Sequence, residues 1–251
     1  MCLKLGYLLD MKLSRPLAAF VEITQAPKIE TPCYVYSESV LREIKKTFDA
    51  ALANHKFPLP LRWHYAMKAN ALPQLLRFFK DEGAGIDLVS GGELKEALAC
   101  GFKGEDLVFS GIGKKDNEIR EALRQGVMML NVESESELNR IERISKEMGI
   151  AAKFSLRVNP DVDAKTHPYI STGMWEHKFG LPFDQAFELY KRTLNSKDLV
   201  PVGISLHIGS QIFDVAVLEE AVQKISTGEI AVGFHAAVLL LFDKMRKEGK
   251  L

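Results

Sequence analysis

The chain has 251 residues and a mass of 28.1 kDa, long enough to bury a substantial core, and a composition of 47% apolar and 26% charged residues excludes a disordered chain. Thirty-three basic residues balance thirty-three acidic ones, so no net field favours nucleic acid or an anionic membrane, and a mean hydropathy of -0.04 excludes a polytopic membrane protein. The expected partner is small or neutral. Cys2, Cys33 and Cys100 are odd in number and lack metal-ligand spacing, which speaks against a disulfide framework and structural zinc and for a reducing cytoplasm.

The opening MCLKLGYLLDMKLSR holds an apolar stretch that Lys4 and Asp10 interrupt, with no small-residue cleavage site after it, so no signal peptide is expected. TPCYVYS (31–37) reads as a strand. SESVLREIKKTFDAALAN (37–54) places Val40, Ile44, Phe48 and Leu52 on one face of an amphipathic helix. These make residues 1–60 a lead segment, and Pro58-Leu59-Pro60 marks the entry to the first repeated unit.

From residue 61 to 214, apolar runs alternate with helical patterns. The runs are LRWHYAM (61–67), GIDLVS (85–90), DLVFSG (106–111), VMMLNV (127–132), KFSLRVN (153–159) and PVGISLHIG (201–209). Most of them read as apolar on both alternating faces, as strands of a parallel sheet covered on both sides should. Ser90 with Glu93 and Ser134 with Glu137 form capping boxes, Asp116 is placed to cap NEIREALRQ, and Gly101, Gly126 and Gly149 are placed to end three helices.

Strand starts recur at roughly twenty to twenty-five residues, the spacing of a repeated βα unit. The fold class is therefore α/β, either a (β/α) barrel or a doubly wound sheet. With no GxGxxG after the first run and no GxxxxGK[ST] anywhere, the barrel is favoured, although six strands are fewer than the eight a barrel needs. The remainder, 215–251, reads as a helical tail. Its apolar stretch IAVGFHAAVLLLF (230–242) is shorter than the ~20 residues that span a bilayer, so no membrane span is expected.

A βα barrel carries its active site at the C-terminal ends of the strands. Lys68 stands just past the first run beside Ala66 and Met67, where apolar walls could ease its deprotonation and let it form a Schiff base with a carbonyl; a solvated surface lysine is the competing reading. Asp87 lies in the second run, where its neighbours do not decide between a structural acceptor and a site residue. Arg157 in the fifth run is a permanent cation that needs an anion, from protein or ligand. His207 ends the sixth run, and Gly209 and Ser210 after it offer a backbone N–H and a hydroxyl for a phosphate; a satisfied core histidine is the alternative. Glu93 is explained by its capping box.

With YAMKAN (65–70) the sequence resembles the pyridoxal-phosphate-dependent decarboxylases built on a (β/α)8 barrel plus a β-domain. The resemblance runs from about Thr31 to Asp214 through DLVSGGEL (87–94), FSGIGK (109–114), LRVNPDVDAKTHPYISTG (156–173), HKFG (177–180) and HIGSQI (207–212). HPYISTG with KFG and HIGSQ looks like the diaminopimelate members rather than the ornithine or arginine ones. The resemblance implies that Lys68 holds pyridoxal 5'-phosphate covalently, His207 stacks on its ring, Ser210 binds its phosphate, Arg157 lies near its phenolic oxygen and Asp87 joins the polar network around Lys68. It also implies loss of carbon dioxide from the D-configured centre of meso-2,6-diaminopimelate to give L-lysine, in a cytoplasmic homodimer whose partner molecule is an amino acid.

The 251 residues lack the family's glycine-rich phosphate turn, its EPGR-type segment and its C-terminal β-domain, so the expected barrel is incomplete at about six βα units. A racemase-like protein on the same barrel, and an inactive decarboxylase-like binding or regulatory chain, are the rival readings.

Overall fold

A computed structural model of the protein describes residues 32, 34–53, 62–159, 179–207 and 220. The chain divides into two compact units, residues 1–61 and 62–251. In the first, the amphipathic helix is α1 (Glu38–Ala53), laced by i,i+4 ion pairs from Arg42 to Glu38 and from Lys45 to Asp49. Tyr34 to Ser37, expected as a strand, form none.

The second unit contains all six expected strands: β1 (His64–Ala66), β2 (Gly85–Leu88), β3 (Leu107–Phe109), β4 (Met129–Val132), β5 (Ala152–Arg157) and β6 (Leu199–Ser205). Helices α2 (Pro73–Asp81), α3 (Gly91–Ala99), α4 (Asp116–Arg124), α5 (Glu135–Met148) and α6 (Phe183–Thr193) join them in turn. Every pairing is parallel and the spatial order is β1-β2-β3-β4-β5-β6, the order of the sequence. Each crossover steps one strand in the same direction, so crossovers of one hand leave all the helices on one face. That is the wall of a barrel; a doubly wound sheet reverses direction once.

The helix ends reflect the chemistry of their residues. Ser90 and Ser134 accept the amides of Glu93 and Glu137, each at 3.2 Å. The two glutamates reach one residue further back than a capping box requires, accepting Val89 N–H at 2.6 Å and Glu133 N–H at 2.8 Å. Gly101, Gly126 and Gly149 all carry positive φ, as their terminating role demands. Asp116 is a correction: Lys115 occupies the cap of α4, its N–H donates to Glu118 Oε2 at 2.8 Å, and the Asp116 carboxylate pairs with Arg143 at 2.5 Å instead.

The two faces of the sheet differ, contrary to the expectation of apolar residues on both. Ile86, Leu88, Leu107, Phe109, Leu130, Val132, Phe154 and Leu156 are fully buried with Leu94, Ile119, Leu138 and Ile141 of the helices. At alternate positions the other face carries Asp87, Asn131, Ser155 and Arg157. The period-2 pattern is visible in KFSLRVN, where Lys153, Ser155, Arg157 and Asn159 alternate with apolar residues, and is obscured in the other runs, which hold only one or two polar residues each.

Strand β6 starts two residues before its expected Pro201. Proline cannot donate to a ladder, and here it sits at a register shift: Phe154 pairs with Pro201, but Ser155 pairs with Gly203. The buried hydroxyl of Tyr190, from α6, accepts Leu156 N–H at 2.8 Å and donates to Gly203 O at 2.6 Å, so the irregular ladder keeps its hydrogen bonds. Among the described residues no helix is long and apolar enough to cross a membrane. The apolar stretch at 230–242, the rest of the tail apart from Glu220, and HPYISTG lie outside the described residues.

Candidate cofactor site at the strand ends

Strand β1 runs directly into a 3-10 turn, Met67–Ala69, that contains Lys68. Tyr65 OH donates to Asn70 O at 3.1 Å and Asn70 Oδ1 accepts Leu72 N–H at 2.9 Å, which fixes the far side of the turn. Met67 turns into the core, while Lys68 is exposed among the described residues at the end of the strand.

Asp87 sits one strand away, opposite Ala66. Its Oδ1 accepts Ser110 Oγ at 2.5 Å; Ser110 Oγ accepts Asn131 Nδ2 at 2.8 Å; and Asn131 Oδ1 accepts Ser155 Oγ at 2.5 Å. The donors all point one way, from β5 towards β2, and the chain ends on the carboxylate. Such a directional chain polarises its members mutually and spans the polar face as one unit. Ser110, Asn131 and Ser155 are site neighbours that sequence reasoning missed, because strand register, and no local motif, brings them together.

Arg157, at the end of β5, finds its anion within the protein. Its Nη1 lies 2.8 Å from both oxygens of Glu133, and the two side chains are 13% and 6% exposed, so the pair is shielded from water. Nη2 donates to His207 O at 3.4 Å, and the guanidinium stands 5.8 Å from the centre of the Phe179 ring. Leu181 is pinned beside it: its N–H donates to Arg157 O at 2.8 Å and Asn159 N–H donates to Leu181 O at 3.0 Å. Gly180, at φ 99°, permits this approach, since a Cβ there would stand 3.0 Å from Arg157 O. Glu133 and Phe179 are the site neighbours that sequence reasoning missed; an acidic residue directly after an apolar run was the available signal for the first.

His207 lies two residues beyond β6 and stays partly exposed. Partial burial of its ring lowers its pKa below the ordinary 6.5, the Arg157 and Lys68 cations push the same way, and Glu133 and Asp87 oppose them. The same electrostatic neighbourhood thus holds Lys68, Asp87, Glu133, Arg157 and His207. Ser210 lies outside the described residues. One strand layer lower, His64 faces Gly85, where a Cβ would fall 2.2 Å from its ring; burial and the nearby Arg62 lower its pKa.

The site has unused donors. Arg157 Nε and Ser205 Oγ are buried without a hydrogen-bond partner among the described residues, and Arg157 and Ser205 are register partners on β5 and β6. Two orphaned donors side by side at a strand mouth, with an exposed lysine amine at the same end of the sheet, fit a ligand that brings acceptor oxygens and a carbonyl carbon.

A sequential parallel wall with helices on one face and a lysine, an arginine–glutamate pair and a histidine at its strand ends defines an α/β-barrel enzyme domain. Residues 41–236 match the pyridoxal-dependent decarboxylase, pyridoxal binding domain family. The chain is 42% identical over 219 residues to a diaminopimelate decarboxylase of Neisseria meningitidis, covering 87% of this chain and 50% of that protein. The crystal structure of diaminopimelate decarboxylase from Helicobacter pylori complexed with L-lysine superposes with a TM-score of 0.73 at 40% identity, covering 86% of this chain and 54% of that one. The corresponding M. jannaschii enzyme in co-complex with L-lysine gives a TM-score of 0.68 at 32% identity, covering 83% and 50%. The chain belongs to the pyridoxal-dependent decarboxylase family, and the cofactor of that family is pyridoxal phosphate. It spans about half the length of the curated relatives it matches.

Proposed function

We propose that the strand ends of β1, β2, β5 and β6 form the pyridoxal phosphate site of a diaminopimelate decarboxylase, and that the whole protein releases carbon dioxide from the D-configured centre of meso-2,6-diaminopimelate to give L-lysine. The convergence of Lys68, Asp87, Arg157 and His207 at one end of the wall carries this reading. Lys68 would hold the cofactor covalently through its amine, and its exposure leaves that amine reachable. Arg157 would lie near the cofactor's phenolic oxygen, with Nε as its unused donor and Glu133 holding the guanidinium in place. His207, whose pKa partial desolvation and the Arg157 and Lys68 cations lower, would offer a flat ring for stacking. Asp87, held by the Ser110–Asn131–Ser155 chain, would present a fixed acceptor on the Lys68 side, and Ser210 would bind the phosphate. When bound, pyridoxal phosphate supplies the electron sink for the pair left by departing carbon dioxide.

The same reading makes the substrate a small amino acid and the protein a cytoplasmic homodimer with no nucleic-acid or membrane partner. It assigns 1–60 to a lead segment, 61–214 to the barrel portion and 215–251 to a helical tail. The test is L-lysine and carbon dioxide formation from meso-diaminopimelate with added pyridoxal phosphate. Turnover that needs the cofactor and is lost in Lys68→Ala is expected. Turnover that survives Lys68→Ala overturns the residue assignment, and its absence in the parent chain overturns the activity.

A further inference from the structure

The most deeply buried charged pair of the described residues lies behind the site. Lys114 and Glu137 have side chains 0% and 4% exposed and meet at 2.8 Å. Lys114 Nζ also donates to Gly111 O at 2.6 Å, at the end of β3, and to Asn131 O at 2.7 Å, on β4. All three ammonium donors are therefore used. Glu137 uses its second oxygen to accept Glu133 N–H at 2.8 Å, and Glu133 is the residue whose carboxylate holds Arg157.

A buried ion pair is a poor way to gain stability, because apolar side chains of the same volume serve as well without the desolvation cost. Helix capping does not require it either. The matching turn after β2 has Glu93 accepting Val89 N–H at 2.6 Å, and among the described residues Glu93 has no buried lysine partner. The two turns share their caps, with Ser90 and Ser134 capping and Glu93 and Glu137 reaching back, and the first is also tied by Gly91 N–H donating to Glu118 Oε1 at 2.7 Å. They differ in what stands before the cap, an apolar Val89 in one and the Arg157 partner Glu133 in the other.

We propose that the Lys114–Glu137 pair is a positioning device: it ties the β4–α5 turn to the end of β3 and thereby fixes Glu133, which holds Arg157 at the orientation a pyridoxal phosphate site needs. This rests on the cofactor reading above for its purpose, but not for its geometry. Glu137 must accept on both oxygens at once, from Lys114 on one side and Glu133 N–H on the other. In Glu137→Gln one of those oxygens becomes an NH2 that faces a donor, so one bond is lost without a change of shape.

The test uses the full chain and three readouts. In Glu137→Gln, amide exchange at Glu133 is expected to speed up by about tenfold or more relative to Ile86 and Leu130, the scale of one lost charge-assisted hydrogen bond. Guanidinium rotation of Arg157, followed by NMR with isotope-labelled arginine, is expected to be freed. Pyridoxal phosphate affinity is expected to fall by about tenfold, while the Lys68 adduct still forms at saturation. The double variant Lys114→Met/Glu137→Leu keeps the volume without charge, and should fold yet show the same selective loss at Glu133 and Arg157. Exchange that rises uniformly across the sheet, Arg157 rotation unchanged from the parent, or loss of the fold in both variants assigns the pair to stability and overturns the proposal. If the parent chain takes up no pyridoxal phosphate, the cofactor reading falls, while exchange and rotation still decide whether the pair positions Arg157.

Discussion

Tyr190→Phe isolates one hydroxyl that two strands depend on. The ring stays in place, stacked 6.0 Å from Phe154, so no cavity opens and only the hydrogen bonds are lost. Leu156 is fully buried, so its N–H, now unpaired, bears the full desolvation cost of about 2 kcal/mol. Gly203 is only half-buried, and its carbonyl can turn to water, which limits its share to about 1 kcal/mol. The expected loss is about 3 kcal/mol, or a fall in Tm of roughly 6–12 °C for a chain of this size. Urea unfolding is the assay, and the slope should not change, because the surface exposed on unfolding is the same. A loss below about 0.5 kcal/mol would mean that water replaces the hydroxyl at the bulge, and would refute the claim that Tyr190 holds the β5–β6 register. The pH dependence gives a second check. Burial pushes the Tyr190 hydroxyl well above its ordinary pKa, with the Leu156 N–H opposing, so the hydroxyl ionises in the unfolded chain first. The stability it contributes is complete below about pH 10 and declines by about 1.4 kcal/mol per pH unit above it. The advantage of the parent over Tyr190→Phe should therefore shrink in strong alkali.

The same geometry sets other expectations. Glu133→Leu strands the shielded Arg157 guanidinium and should cost about 3–5 kcal/mol in urea unfolding, most of it recovered in Arg157→Met/Glu133→Leu. His207 should titrate by NMR below the ordinary 6.5, and Arg157→Gln should move its midpoint upward by removing a nearby cation. Because the folded pKa values of His207 and His64 are both lowered, their contribution to stability is present above the unfolded value and is lost as pH falls through it towards the folded values; unfolding measured from pH 7 to 5 should show that decline. Gly104→Ala would put a Cβ 1.7 Å from Gln125 O, a backbone atom that cannot yield cheaply, and should abolish or severely weaken folding by thermal melt.

The parts of this fold legible in the sequence are those fixed by local chemistry. Six strands stood out as runs of branched and aromatic residues, and helix ends were marked by Ser90, Ser134, Gly101, Gly126 and Gly149, whose capping and positive-φ roles need only a few neighbouring residues. The polar face was hidden because its bonds join residues 21 to 24 apart, through strand neighbours that only register brings together. The same cause hid the answer to Arg157: a buried cation plainly needed an anion, but nothing local named Glu133. Asp116 misled because its residue type suits a cap while Glu118 and Arg143 had already decided the turn. Pro201 misled as a strand start because the register shift that tolerates it is stabilised from another element, by Tyr190.

The central claim is that Lys68 carries the cofactor. The direct measurement is to incubate the purified chain with pyridoxal phosphate, reduce with borohydride, and map the phosphopyridoxyl label by peptide mass spectrometry. One label per chain on the peptide containing Lys68, absent from Lys68→Ala, is the predicted result. No label, or label scattered over other exposed lysines such as Lys103 and Lys191, would contradict it.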